Sequence, residues 1–165
     1  MKAIVAVDNN WAIGKGQDLL FHIKEDLKRF KNMTTGKVVV MGRKTFDSLP
    51  NRRPLPNRTN IVLTKNIFYN IPGAEVLHSV HEFLYMYPKK YNEEDIFIIG
   101  GSKIYNEFMD YIDDVYVTKI YASVDGADKY FQNLDSNKKF EIVDESDIFN
   151  ENGLEYQFIH YKRIK

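Results

Sequence analysis

Five short, nearly continuous apolar runs set the strongest limit on what this chain can fold into: Ala3–Val7, Val38–Met41, Ile61–Leu63, Ile96–Ile99 and Val115–Ile120. Runs of this length with little polar alternation suit strands covered on both faces, as in a parallel sheet. Between them, Lys24–Met33, Val80–Tyr87 and Lys103–Tyr111 space their apolar residues as helices do. The tail differs. Phe140–Val143 and Tyr156–Arg163 flank the turn-rich stretch Asn150-Glu151-Asn152-Gly153 and read as an antiparallel hairpin. The expectation is an α/β protein whose sheet is mixed and mostly parallel, with the hairpin at one edge. The 165 residues show no repeat and no low-complexity linker, so residues 1–165 read as a single domain.

Composition narrows the chemistry. The absence of cysteine excludes a disulfide scaffold, a thiolate zinc site and a cysteine nucleophile, and fits a reducing cytoplasm. The opening MKAIVAV is too short an apolar stretch for a signal peptide, and no run approaches a membrane span. Net charge is zero but unevenly spread: residues 1–60 carry net +7 and the remainder net −7. Without a polybasic run, nucleic acid is an unexpected partner; a basic first half can instead collect a small anion, or the asymmetry is mere surface distribution. The four histidines, at 22, 78, 81 and 160, show no metal-ligand spacing, so no metal is expected.

The helical stretch after Phe21-His22 carries the most informative residue. At 100° per residue, Ile23, Leu27, Phe30 and Met33 share one arc, while Lys24, Glu25, Lys28, Arg29 and Asn32 cover the other side. Asp26 falls inside the apolar arc. A carboxyl aimed at a core has its pKa raised by desolvation, which suits proton chemistry. The alternative is that Asp26 merely favours the helix N-terminus. Thr118, within Val115–Ile120, is the hydroxyl that could reach it.

Three strand ends look apt for a phosphate-bearing ligand. Met41-Gly42-Arg43-Lys44-Thr45 runs from a strand into a glycine, two cations and a hydroxyl; it is either an anion seat or a basic turn. Ile99-Gly100-Gly101-Ser102-Lys103 lets backbone approach a ligand, or simply turns tightly. Leu63-Thr64-Lys65 ends a third strand. Neither a dinucleotide fingerprint nor a P-loop is present. Ligands bind beyond the carboxyl ends of parallel strands, which fits all three. Arg52, Arg53 and Arg58 around Pro54-Leu55-Pro56 form either a carboxylate clamp or a solvated basic loop.

The segments IVAVDNNWAIGKGQDLLFHIKEDLKRFK, VVVMGRKTFDSLP, RRPLPNRTNIVLTK, DIFIIGGSKIYNEF and VYVTKI occur in one order across nearly the whole chain. Together they resemble the bacterial type of dihydrofolate reductase. The resemblance implies an eight-stranded, mostly parallel mixed sheet flanked by four helices. It implies NADPH-dependent reduction of 7,8-dihydrofolate to tetrahydrofolate, in one-carbon and thymidylate metabolism, by a cytoplasmic monomer that binds neither nucleic acid nor membrane. Asp26 matches the family's pterin-binding acid and Thr118 its hydrogen-bonding threonine. Ile4, Val5, Leu27, Phe30, Leu49, Leu55 and Ile99 match the substrate-pocket wall, and Arg58 the arginine that pairs with the glutamate tail. Toward the cofactor, the resemblance assigns Ala6, Ile13, Gly14, Gly42, Arg43, Lys44, Thr45, Leu63, Thr64, Lys65 and the run Gly100, Gly101, Ser102, Lys103, Ile104, Tyr105. Arg43, Thr64 and Lys65 fall where the 2′-phosphate is held, which favours NADPH over NADH.

Four places depart from the family pattern. Leu20-Phe21 replaces the usual Pro-Trp after the loop Gly14–Leu20, so an indole N–H that orders a water is missing. Ser102 stands where a third glycine is common, and Leu49–Arg53 is about two residues longer. Asp125–Phe131 follows the family's acidic loop only loosely. A pyrimidine reductase on the same fold and a non-catalytic NADPH or folate binder are the rival readings; Asp26 and Arg58 argue against the first.

Overall fold

A computed structural model describes residues 1–16 and 20–165. In chain order the strands and helices are β1 (Lys2–Val7), β2 (Ala12–Gly14), α1 (Lys24–Thr34), β3 (Val38–Gly42), α2 (Arg43–Asp47), β4 (Thr59–Leu63), β5 (Glu75–Leu77), α3 (Val80–Met86), β6 (Ile96–Gly100), α4 (Ser102–Phe108), β7 (Asp114–Ile120), β8 (Lys129–Tyr130), β9 (Phe140–Glu145), β10 (Phe149–Glu151) and β11 (Leu154–Arg163).

All five apolar runs are strands of one sheet, ordered β10-β11-β7-β1-β6-β3-β4-β5. From β7 to β5 every neighbouring pair is parallel, while β11 runs antiparallel to β7. The long β11 pairs with β9 along one half and β10 along the other, so these two share one edge position and the sheet is eight positions wide. β2 and β8 form a separate small ribbon.

The near-continuous apolar runs have the physical meaning expected of them. Alternate residues face opposite ways, and both faces are covered. Ala3, Val5, Val7, Val38, Val40, Ile96, Ile98, Val115 and Val117 pack with Phe83, Ile104 and Phe108 of α3 and α4. Ile4, Val39, Met41, Val62 and Phe97 pack on the other side with Phe46 of α2 and Phe30 and Met33 of α1. Tyr116 and Ile99 lie on this second side, and Thr118, two residues from Tyr116, shares their orientation. The sheet therefore turns Thr118 toward the helix that carries Asp26.

Two short loops are tied down by buried polar groups. Asp8, fully buried, accepts hydrogen bonds from the backbone N–H groups of Asn10 (2.8 Å), Ala12 (2.9 Å) and Val124 (3.1 Å). The only tryptophan, Trp11, adopts φ 62° and is held against Phe131, Tyr161 and the Lys119 ammonium, which stands 4.4 Å from its ring.

Candidate active site

The carboxyl ends of β1, β3, β4, β6 and β7 all emerge at one edge of the sheet, because these strands are parallel. This edge gathers the candidate residues from both halves of the chain.

Asp26 sits in the first turn of α1, half-buried. The Thr118 hydroxyl donates to its Oδ1 at 2.5 Å, joining α1 to β7 across 92 residues of sequence. Burial raises the Asp26 pKa above its ordinary value, while the Thr118 hydrogen bond and the positive charge of Arg29 oppose that rise. Both readings of Asp26 hold in part: it lies near the helix N-terminus, and it also has a dedicated partner on the sheet. Phe30, Leu49, Leu55 and Ile99 are half-buried around the same cluster, which also contains Ile4.

Two residues depart from the helical-wheel reading. Leu27 leaves 51% of its surface exposed, so the apolar arc runs past the core onto an open rim. Arg29, expected outward, is half-buried with its guanidinium 4.3 Å from the Phe158 ring centroid. A wheel gives direction about the helix axis but not the reach of a long side chain that bends along a groove. Val5 departs from the pocket-wall assignment: its side chain packs in the cluster on the other face of the sheet.

Arg58 donates from Nη1 to the Thr34 hydroxyl (3.1 Å) and from Nε to the Pro56 carbonyl (2.9 Å), with its guanidinium 6.0 Å from the Phe30 ring. The fork is thereby aligned beside α1 and still has donors to spare. Arg52 is differently employed. It makes two hydrogen bonds to Asp47 (3.0 and 3.2 Å), whose carboxylate also accepts from the Tyr69 hydroxyl at 2.8 Å. Arg53 is exposed.

At the other strand ends the backbone is bare where it needs to be. A Cβ on Gly42 would stand 3.1 Å from Ile104 Cγ1, and one on Gly101 would stand 3.6 Å from the Thr45 hydroxyl. Gly100 has φ 120°, and a Cβ there would meet the Tyr105 ring at 3.2 Å. The structure thus brings Gly42, Thr45, Gly100, Gly101, Ile104 and Tyr105 together. The Tyr105 hydroxyl donates to the Ile4 carbonyl at 2.7 Å, linking α4 to β1. Arg43, Lys44 and Lys65 are exposed beside this junction; Arg43 leans toward Asp47 at 3.7 Å. Ile104 and Leu63 turn their side chains into the core with α3 and α4. Ser102 is the first residue of α4, after the N-cap Gly101. Ala6 and Phe21 both pack against the cluster of Ile23, Ile120 and Tyr156. Ile13 and Gly14 lie on or beside β2, and the expected loop Gly14–Leu20 falls partly outside the described residues. Phe158 and Tyr116 are the parts of this region that sequence reasoning missed. Their signal was their register beside Thr118, which no local pattern carries.

Known proteins resemble this chain along nearly its whole length. A family model described as dihydrofolate reductase matches residues 1–163. A dihydrofolate reductase of Bacillus subtilis (strain 168) is 37% identical over 161 residues, spanning 97% of this chain and 92% of its own. One from Staphylococcus haemolyticus is 36% identical over 163 residues, spanning 98% and 95%. Among solved structures, dihydrofolate reductase from Enterococcus faecalis complexed with NADP(H) and RAB-propyl superposes with a TM-score of 0.87 at 36% identity, covering 99% of this chain and 96% of that one.

Proposed function

The chain belongs to the dihydrofolate reductase family, and from that membership we infer how its own residues divide the work. The reaction is the NADPH-dependent reduction of 7,8-dihydrofolate to 5,6,7,8-tetrahydrofolate. The observation that carries the residue assignment is the Thr118-bound carboxyl of Asp26, which joins α1 to the sheet face that also carries Ile99 and packs against Phe30 and Leu55.

Asp26 holds the pterin ring and assists protonation at N5. The Thr118 hydroxyl fixes which way the carboxyl points, and burial keeps a proton available at higher pH than a free aspartate allows. Ile4, Val5, Leu27, Phe30, Leu49, Leu55 and Ile99 border the substrate, Val5 through its backbone. Arg58 takes the carboxylate of the glutamate tail, its spare donors suiting a bidentate partner.

The residues at the strand ends fit a dinucleotide. Gly101, where a Cβ would meet the Thr45 hydroxyl at no closer than 3.6 Å, leaves room for a pyrophosphate near the backbone, while Gly42 and Gly100 let Ile104 and Tyr105 pack close behind it. Lys44, Thr45 and Ser102 to Tyr105 flank it, while Ala6, Ile13 and Gly14 border the nicotinamide side. Arg43, Thr64 and Lys65 supply cations and a hydroxyl for the 2′-phosphate, with Leu63 as the strand residue behind them. When bound, NADPH supplies the hydride that ends on pterin C6. Phe21 packs against the same cluster as Ala6 and has no donor to order a water, so the proton reaches N5 without an indole to guide it. We place the enzyme in the cytoplasm, acting as a monomer and as one domain. Light scattering at working concentration tests the oligomeric state.

The direct assay mixes NADPH with dihydrofolate and follows absorbance at 340 nm. Loss of absorbance dependent on both ligands is the expected result. Tight binding of either ligand with no absorbance change overturns the catalytic reading.

A further inference from the structure

On α1, Arg29 follows Asp26 by three residues, so the two side chains are neighbours on one face of the helix. Both lie over the same patch of sheet. Phe158 on β11 is directly opposite Thr118 on β7, and Tyr116 lies two residues back along β7 on the same side. Asp26 takes the hydroxyl from that patch and Arg29 takes the rings: its guanidinium is 4.3 Å from the Phe158 centroid and 5.9 Å from that of Tyr116. Among the described residues, Nη1 of Arg29 is buried and has no hydrogen-bond partner. A cation normally escapes such a position by reaching for water. Here the two rings hold it in place, and no carboxylate in the described residues lies within ion-pair distance to neutralise it.

We propose that Arg29 is a positioning residue for Asp26: seated on Phe158 and Tyr116, its positive charge favours the ionised carboxyl and so shifts the pH at which the site gives up its proton. The proposal rests on Asp26 being the pterin-binding acid. Of the other groups facing this pair, the Thr118 hydroxyl on β7 favours the ionised carboxyl in the same direction and more strongly, but through a hydrogen bond that an Arg29 substitution leaves in place. Tyr105 on α4 and Tyr156 on β11 are pushed upward chiefly by burial, with the Asp26 charge adding to it, so they stay protonated. Tyr116 is likewise raised. Lys2 approaches Tyr116, 5.9 Å from its ring, and Asp144 on β9 acts on Arg29 rather than on Asp26.

The sign follows directly. A positive neighbour stabilises carboxylate, so removing it lets Asp26 keep its proton to higher pH. Turnover that needs this proton then persists further into alkali. The test is kcat/KM for dihydrofolate against pH in the parent, R29Q and R29K, with R29M, which keeps the stem over the rings, replacing R29Q if that variant does not fold. The ratio of R29Q to parent should rise about three-fold or more between pH 6 and pH 8.5, since one pKa unit is a factor of ten. R29K should return the parent profile. A ratio flat across pH, or an R29K profile displaced like that of R29Q, overturns the proposal and leaves Arg29 a packing residue. A parent that fails to reduce dihydrofolate at any pH sinks the assignment of the reaction instead.

Discussion

Replacing Thr118 by valine tests the centre of the site with little change of shape. Valine nearly matches threonine in volume, and the position is buried in β7, so the strand should keep its place. What is lost is one hydroxyl donating to Asp26 Oδ1 at 2.5 Å. Hydrogen bonds to charged groups contribute about 1.5–3 kcal/mol. Asp26 is half-buried, so water can partly replace the lost donor, and the lower part of that range applies. A loss of about 1.5–2 kcal/mol in the transition state corresponds to about a 10- to 30-fold fall in kcat/KM. Thr118 lowers the Asp26 pKa, so its removal also lets the carboxyl stay protonated to higher pH. The deficit should therefore be smaller in alkali than near neutrality. Steady-state rates at 340 nm from pH 5 to pH 9 measure both effects, and urea titration checks that the fold is intact. A folded T118V enzyme within three-fold of the parent at every pH would refute the role given to this bond.

Asp26→Asn should slow turnover about 10²- to 10⁴-fold at neutral pH while making the fold more stable. An acid whose pKa is raised by folding destabilises the folded state where it is ionised, and the handicap fades as pH falls toward the ordinary value of 3.8. Denaturant midpoints of D26N and parent should thus differ most near pH 8 and converge on acidification; a constant difference contradicts the burial argument. Arg58→Gln should raise KM for dihydrofolate about ten-fold or more, yet leave a pterin lacking the glutamate tail within about three-fold; equal effects on both substrates would remove Arg58 from the tail. Neutralising Arg43 and Lys65 should narrow the preference for NADPH over NADH, read as the ratio of kcat/KM values, and an unchanged ratio would move the 2′-phosphate elsewhere.

The five central strands were legible because strands buried on both faces must be apolar throughout. β5, with three residues, and the β2–β8 ribbon, with three and two, carry too little sequence to leave a pattern. β9 was found only through its hairpin, since Ile142 and Val143 are exposed and show no core-facing alternation. Asp26 stood out as an acid in an apolar arc. Its partner was a candidate only, because the Thr118 contact depends on how α1 crosses the sheet. Arg29 was misread for a related reason: the rings that hold it come from β7 and from β11, the latter more than 120 residues away in sequence. The bare backbone at Gly42 and Gly101 was ambiguous in sequence, because a glycine signals freedom without saying which neighbour demands it.

On the proposal above, the pairing of Phe158 with Thr118 makes the last strand, one position in from the sheet edge, a partner in the chemistry. Along β11, Tyr156, Phe158 and His160 lie toward α1, whereas Ile159 and Tyr161 join the opposite core. A slip by a single residue would exchange these sets, sliding Gln157 or Ile159 beneath the guanidinium and stranding aromatic rings on the wrong side. A change in the β11–β7 register would consequently alter the enzyme's response to acidity, even though β11 lies far along the chain from Asp26.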